Sequence, residues 1–581
     1  MAVRRGVWLV IVLLVLAVLA SAAGMLLLYG AIGREPQVSS HSTLVLRVGS
    51  VLPEMEPGGV FGPFIESPPT VRAIVQMLRK AKVDSRVSSV ILKPTGEAAL
   101  WGKIQEIRDA VLDYRRSGKP IIAFMEYGGE QEFYLSSACD KVFLMPSASL
   151  DLTGMASYEL FLRGMLDKIG AYPDALHIGE YKTYSNTFTE HTFTPAHREM
   201  AESLNTDLYE QLLRGIADGR HKSEKEVKAL VDHGPYLPEE ALRAGLIDDL
   251  AYEDEIDDKV KLSSGSVRYL DMSDYRQVSP TSVGLERGPR VAIIYASGLI
   301  ASGKSSTDGL GGEVVGSDTI NEYLRKARAD RSVRAIVLRI DSPGGSAIAS
   351  DVIWREMLLT KNMKPVIASM SDVAASGGYY IAMPAHAIVA EPSTLTGSIG
   401  VVITKFVIDG TLKKLGMNME GVSQGRFADL YSPVRPFSPE ERARVFQLMQ
   451  ATYDTFVEKA AQGRNTTPER IDAIGQGRVW TGRQAKQIGL VDELGGLERA
   501  IALAKQRAKI PQESEVELVI YPPKKSFYDI VRNPFGASDG THTLASLLGF
   551  TNPRVMQTLT APLQVFRRGE PLALMPNVFT R

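Results

Sequence analysis

Three kinds of hydrophobic pattern organise this chain. The first is one uninterrupted apolar run, GVWLVIVLLVLAVLASAAGMLLLYGAIG at residues 6–33, with no charge in 28 positions. About 20 apolar residues are enough for a helix to cross a bilayer, so this run is predicted to span one. The second is a set of short β-branched runs, VSSVILK at 87–93, KPIIAFM at 119–125, VRAIVLR at 333–339 and KPVIASM at 364–370, bounded by Pro and Gly. Such runs are predicted to be strands. The third comprises helix-like stretches at 103–116 and 350–361 that separate those runs. Strands alternating with helices give an α/β architecture.

The pattern also repeats at an offset of about 246 positions. A run ending DKVFLMPSASLDLTGM in the first copy matches one ending HAIVAEPSTLTGSIG in the second, with a shared Pro146-Ser147 and Pro392-Ser393. LRGMLDKIG at 162–170 matches DGTLKKLG at 409–416. A shared Pro-Ser after matching strand patterns points to duplication. The expected organisation is a membrane anchor at 1–34, a first repeat at 35–285, a second repeat at 286–510 and a C-terminal extension at 511–581. Pro and Ser around 278–289 mark the linker between the copies.

Composition narrows the function classes. At 581 residues the chain is long enough for two to four domains, and 44% hydrophobic with 23% charged residues is ordinary globular content. A formal net charge of −1 offers no whole-chain field for nucleic acid. The single cysteine, Cys139, excludes an internal disulfide and a Cys-rich metal site. Arg4 and Arg5 precede the apolar run, which places the remainder on the extracytoplasmic side of the membrane. Ala20-Ser21-Ala22 has the spacing of a signal-peptide cleavage site, the alternative to a retained anchor.

Candidate chemistry lies in the second copy, where glycine-rich turns follow two strands: RIDSPGGS at 339–346 and SDVAASGGYY at 371–380. Ser376 falls at a strand-to-helix junction, with the Gly377 N–H beside it, and Gly344 and Gly345 allow a second backbone to approach closely. These are the parts of an oxyanion hole. The eight histidines are scattered, G-x-S-x-G is absent, and His386 is expected to be structural, so a Ser-His-Asp triad is poorly supported. The repeat supplies another base. The position matching Ser376 in the first copy is Glu130, whereas Lys182 in HIGEYKTYSN matches Ala428 in SQGRFADLYS. Each copy thus keeps one of two reactive groups, and an active site is expected across the halves. Lysine acts as a base only as the neutral amine, which requires burial or a nearby cation. Tyr181, Tyr184 and Phe188 are candidates to form such surroundings.

ASGGYY, DSPGG, TGSIG and GEYK together resemble the signal peptide peptidase A family in its long, tandem-repeat form, a serine/lysine-dyad protease family related to the Clp protease and crotonase folds. The resemblance spans about residues 40–510. It implies two Clp/crotonase-like repeats behind a transmembrane helix, Ser376 as nucleophile, Lys182 as general base, Ser398 orienting the lysine, and Gly377 with Gly345 or Gly344 lining the oxyanion hole. It further implies a single-pass protein of the cytoplasmic membrane with periplasmic catalytic domains, hydrophobic signal-peptide remnants as substrates, a homotetramer, and no metal or other cofactor. Asp372 and Val373 stand where smaller residues are commoner in that family, so a different groove wall and side-chain preference are expected.

Three other readings compete. GLIASGKS at 298–305 matches a phosphate-binding loop and would suit a nucleotide hydrolase, but it continues into the glycine-dense STDGLGGEVVG rather than a helical pattern. The same fold class serves acyl-CoA enzymes, and a duplicated core could act only as a peptide-binding scaffold.

Overall fold

The fully buried runs become parallel strands, because a strand covered on both faces reads as continuous rather than alternating hydrophobicity. The structure, a computed structural model, describes residues 16, 36–56, 68–96, 100–264, 268–307, 313–523, 571–575 and 579–580. The expected membrane span lies outside these, residue 16 apart. Among the described residues no helix is long and apolar enough to cross a membrane.

One sheet of six strands has the order Asp249–Leu250, Lys141–Leu144, Ile121–Met125, Val87–Thr95, Ser42–Gly49, Arg268–Asp271, all parallel. A second repeats that order with Glu493–Leu494, Ala387–Ala390, Val366–Ala375, Val333–Ser342, Arg290–Ser297 and Glu517–Tyr521. The second sheet also adds Leu395–Gly397 and Val479–Thr481. Each half has a 26-residue helix, Pro195–Arg220 and Pro439–Arg464, opened by a hydroxyl cap (Thr194, Ser438) and a proline. Each ends in a left-handed residue, His221 or Asn465. The duplication is therefore visible at the level of caps as well as strands.

The halves are not side by side and independent. Strand Tyr172–Ile178 of the first half leaves its own sheet and pairs antiparallel with Val401–Val407 of the second. The corresponding stretch of the second half, about residues 418–424, is irregular. The exchanged strand therefore brings the turn at its end, and Lys182 with it, into the second half.

A buried ionic network joins the halves at another point. Arg339 donates through Nε and Nη2 to the Glu54 carboxylate at 2.9 and 3.0 Å, and through Nη2 to Glu106 at 2.6 Å. Lys103, at the start of helix Gly102–Arg115, pairs with Asp341 at 2.7 Å and Asp372 at 3.6 Å, while its N–H donates to Asp372 Oδ1 at 2.9 Å. First-half charges thus grip the second-half strand that leads to Ser376. The carboxylate at Asp372 has a local reason: it receives the helix start of the other half.

Candidate active site

Strand Val366–Ala375 ends at Ser376, and helix Gly377–Ala382 begins directly after it. Ser376 adopts φ 55° and ψ −112°, a conformation that costs a non-glycine residue about 1–3 kcal/mol and persists only where surroundings impose it. They do so here. The Ser376 N–H donates to Gly397 O at 2.8 Å, the Tyr380 N–H donates to Ser376 O at 2.8 Å, and the hydroxyls of Thr394 and Thr396 donate to the carbonyls of Ser371 and Ala374 at 2.6 and 2.7 Å. The PSTLTG motif is thus a clamp on the serine strand.

The glycines near Ser376 are required by space. A Cβ on Gly377 would lie 2.7 Å from Ser350 Oγ and 3.1 Å from Gly345 N, so the amides of Gly377 and Gly345 are neighbours. Gly344, at φ 109°, would place a Cβ 2.8 Å from Gly377 N, and Gly345, at φ 151°, would drive one into Ile300 O. Two glycine turns distant in sequence therefore present their backbones to one spot.

Lys182 reaches the same spot from the exchanged strand. Gly179, at φ 105°, turns the chain, and Gly425 holds the same conformation at φ 109° in the second half. Tyr181 N–H donates to Gln476 O at 2.8 Å, and Lys182 then enters the turn Thr183–Ser185. Lys182 passes glycines that pattern alone did not single out, with its backbone at Gly477, where a Cβ would fall 2.5 Å from Lys182 N, and with its side chain at Gly400, where one would fall 3.0 Å from Lys182 Cδ. The signal for Gly400 was present as the last residue of TGSIG; Gly477 had none.

Lys182 Nζ lies 2.8 Å from Ser376 Oγ, 3.0 Å from Ser398 Oγ and 2.9 Å from Ser398 O. All three residues are fully buried. Burial holds the amine well below the usual lysine range, with no carboxylate to counter it. A neutral amine has two N–H donors and one lone pair. The Ser398 carbonyl can only accept, so it takes one N–H; Ser398 Oγ takes the other, and the lone pair is left facing the Ser376 hydroxyl. Ser398 is held for this by its own left-handed backbone, φ 51°, with its N–H donating to Arg478 O at 2.7 Å. Tyr184 and Phe188 are buried in an apolar cluster with Val402, while Tyr181 remains partly exposed beside Val373 and Ala375.

Other candidates lie elsewhere or in different roles. His386 accepts from Val366 N–H through Nδ1 at 3.1 Å and holds a strand. The GKS segment continues into the short strand Ser306–Thr307, so no helix follows it to hold phosphate. In the first half Gly129, rather than Glu130, occupies the helix-cap position that Ser376 holds in the second. Glu130, one residue on, accepts from Thr153 N–H, Thr153 Oγ1 and Gly154 N–H. Either way, no hydroxyl stands there.

The profile of peptidase family S49 matches the chain twice, over residues 113–265 and 359–511. Serine protease SPPA, chloroplastic, of Arabidopsis thaliana is 39% identical over 460 residues, covering 78% of this chain and 68% of its own length. Protease 4 of Salmonella typhi is 34% identical over 455 residues, covering 76% and 72%, and Protease 4 of Haemophilus influenzae is 30% identical over 468 residues, covering 76% and 74%. Lys182 falls within the first matched stretch and Ser376 within the second; with the family's domain present in two copies, the chain belongs to peptidase family S49 and is a serine protease.

Proposed function

We propose that this protease cuts peptide bonds with a Ser376/Lys182 dyad assembled from its two repeats. The observation that carries the reading is the buried 2.8 Å contact between Nζ and Oγ, with Ser398 occupying the remaining N–H groups of the amine. Lys182 takes the hydroxyl proton as Ser376 Oγ attacks the scissile carbonyl carbon. Negative charge on the carbonyl oxygen is received by the N–H groups of Gly377 and Gly345, while Gly344 keeps the approach open. The C–N bond then breaks, Lys182 returns the proton to the leaving amine, and water, deprotonated by the same lysine, hydrolyses the ester.

The substrates of this reading are apolar peptides, signal-peptide remnants among them. The chain is held in the cytoplasmic membrane by residues 6–33 with its repeats, 35–285 and 286–510, on the periplasmic side, and four copies of this Clp/crotonase-like chain assemble. Support comes from the apolar run itself and from exposed hydrophobic side chains such as Met165, Ile169, Tyr172, Leu415 and Met419. The test uses full-length protein in lipid vesicles with a synthetic signal peptide and a hydrophilic peptide of equal length. Preferential digestion of the signal peptide is expected, and equal rates on both would contradict the substrate class. Ser398→Ala, which loses one of the two N–H acceptors on Lys182, is expected to lower kcat about tenfold with little change in KM, a positioning effect. An unchanged kcat would remove Ser398 from the mechanism.

A further inference from the structure

Lys182 and Ser398 are set by their backbones, and one turn holds both. The Tyr181 N–H donates to Gln476 O at 2.8 Å and the Ser398 N–H donates to Arg478 O at 2.7 Å, so residues 476–478 fix the segment that carries the base and the residue that orients it. The turn does not favour this shape by itself. Gln476 stands at φ 51°, a left-handed value that costs a non-glycine residue about 1–2 kcal/mol, and Gly477 follows at φ 76°. Contacts from outside the turn have to hold it.

The Arg478 side chain makes those contacts. Its guanidinium carbon lies 4.7 Å from the Tyr181 ring centroid and 4.6 Å from that of Trp480, and Nη1 donates to Glu199 Oε1 at 2.7 Å. The Tyr181 hydroxyl donates to the other oxygen of that carboxylate, Oε2, at 3.0 Å. Glu199, on helix Pro195–Arg220, therefore closes a ring that runs to Arg478, across the Tyr181 face and back through the Tyr181 hydroxyl. Trp480 is pinned in turn by its Nε1–H, which donates to Ile474 O at 3.0 Å. Hydrogen bonds from Arg478 and Tyr181 hold the Glu199 carboxyl below its usual range, so both favour the charged form. A charge-assisted hydrogen bond and a cation over an aromatic face are the stronger kinds of polar contact. Here they tie the residue before Lys182, the residue behind Ser398 and a first-half helix into one unit.

The duplication supplies the comparison. Helix Pro195–Arg220 corresponds to Pro439–Arg464, which sets Glu199 against Ala443. Tyr181 corresponds to Phe427, which has no hydroxyl. Trp480 corresponds to Tyr236, since they pair with Thr396 and Leu150 and donate to the carbonyls of Ile474 and Leu230, and this sets Arg478 against Gly234. A Cβ on Gly234 would lie 1.9 Å from Leu152 O, and Leu152 stands where the second half has Ser398. All three members of the ring are thus missing from the counterpart set, which surrounds neither base nor nucleophile. A ring kept for folding alone would be expected in both sets.

We propose that Glu199, Arg478 and Tyr181 are positioning residues for the dyad, clamping the 476–478 turn to the lysine segment and so fixing Ser398 against Lys182 Nζ. The proposal rests on the dyad reading. The three side chains act through the main chain, from Tyr181 into Lys182 and from Arg478 O to the Ser398 N–H. Without the clamp the turn relaxes, Ser398 lets go of the amine, and water reaching Nζ brings Lys182 nearer to its solvated titration.

The variants that test this come from the molecule itself. Glu199→Ala repeats in one long helix what Ala443 shows in the other, and Tyr181→Phe repeats Phe427, so both suit the fold; the Glu199 side chain is also 57% exposed. Full-length protein in lipid vesicles is assayed on an apolar peptide and by the pH dependence of Ser376 labelling with a fluorophosphonate. Glu199→Ala is expected to lower kcat about tenfold with KM changed less than about twofold. Its labelling midpoint is expected to rise by about one pH unit toward 10.4, a shift that loss of packing alone would not give. Tyr181→Phe is expected to lower kcat about threefold, and the double variant to lose no more than Glu199→Ala, because both contacts end on one carboxylate. Wild-type kcat and midpoint in Glu199→Ala, losses that multiply in the double variant, or a raised KM with kcat unchanged would each overturn the proposal, the last by assigning the ring to substrate binding. The dyad reading itself fails on a different result, labelling of Ser376 that survives Lys182→Met, and the clamp would fall with it.

Discussion

Ser376→Ala and Lys182→Ala are each expected to lower kcat/KM by about 10⁴-fold or more, and the double variant to lose no more than either alone, because nucleophile and base act as a unit. The two positions are 194 residues apart in sequence, yet they share one hydrogen bond in a fully buried site. Initial rates on an apolar peptide, with circular dichroism to check the fold, make the comparison. Losses that multiply in the double variant would mean two independent roles. Lys182→Met carries a second, opposite effect. The folded amine titrates below its unfolded value, so stability is fully present above about pH 10.4 and is lost as pH falls toward the folded pKa. Replacing the amine with an apolar side chain removes that loss, and Lys182→Met is expected to melt at a higher temperature than wild type at neutral pH while being inactive. A lower Tm would mean that the site is not strained by its lysine.

The largest expected loss of stability is at Arg339. Its guanidinium, 1% exposed, serves Glu54, Glu106, Ser369 and Ser371 at the junction of the halves. Arg339→Met leaves two buried carboxylates without their cation, and removal of one side of such a network costs about 3–5 kcal/mol. Glu54→Gln and Glu106→Gln added to Arg339→Met are expected to recover much of that loss, since unpaired charge rather than lost packing is the cause. Thermal melts of the three proteins test this; equal melting of Arg339→Met and wild type would contradict it. The pH dependence has a definite sign. Glu54 is desolvated but more strongly held by Arg339 and Lys103, which bring it from 4.5 down to about 2. Its contribution is fully present above 4.5 and is lost as pH falls through about 2.

Much of this was legible in the chain because local rules and global fold agree. The strands at 87–93, 119–125, 333–339 and 364–370 are continuous apolar runs, and both faces of each sheet are covered. Ser376 and Lys182 could be read because duplication makes each copy a control for the other. What could not be read are the pairings. The stretch 172–178 carries no pattern that singles it out as a strand or assigns it to the sheet of the other half, since hydrogen bonding to a foreign strand leaves no mark on a strand's own sequence. Arg339, Glu54 and Lys103 look like surface charges in sequence; their burial follows from partners that lie up to 317 residues away. The strand Leu572–Leu574 is too short to stand out, and two of its four partners, Gly344 and Gly345, have no side chain to complement. Gly477 matters only because another backbone passes it.

The most direct test of the central claim, that a lysine from one repeat is the buried base for a serine from the other, is the pH dependence of Ser376 phosphonylation by a fluorophosphonate. The rate is expected to rise through a single midpoint well below 10.4, the value for a solvated lysine, and to collapse at every pH in Lys182→Met. A midpoint near 10.4, or labelling of Ser376 that persists undiminished without Lys182, would contradict it.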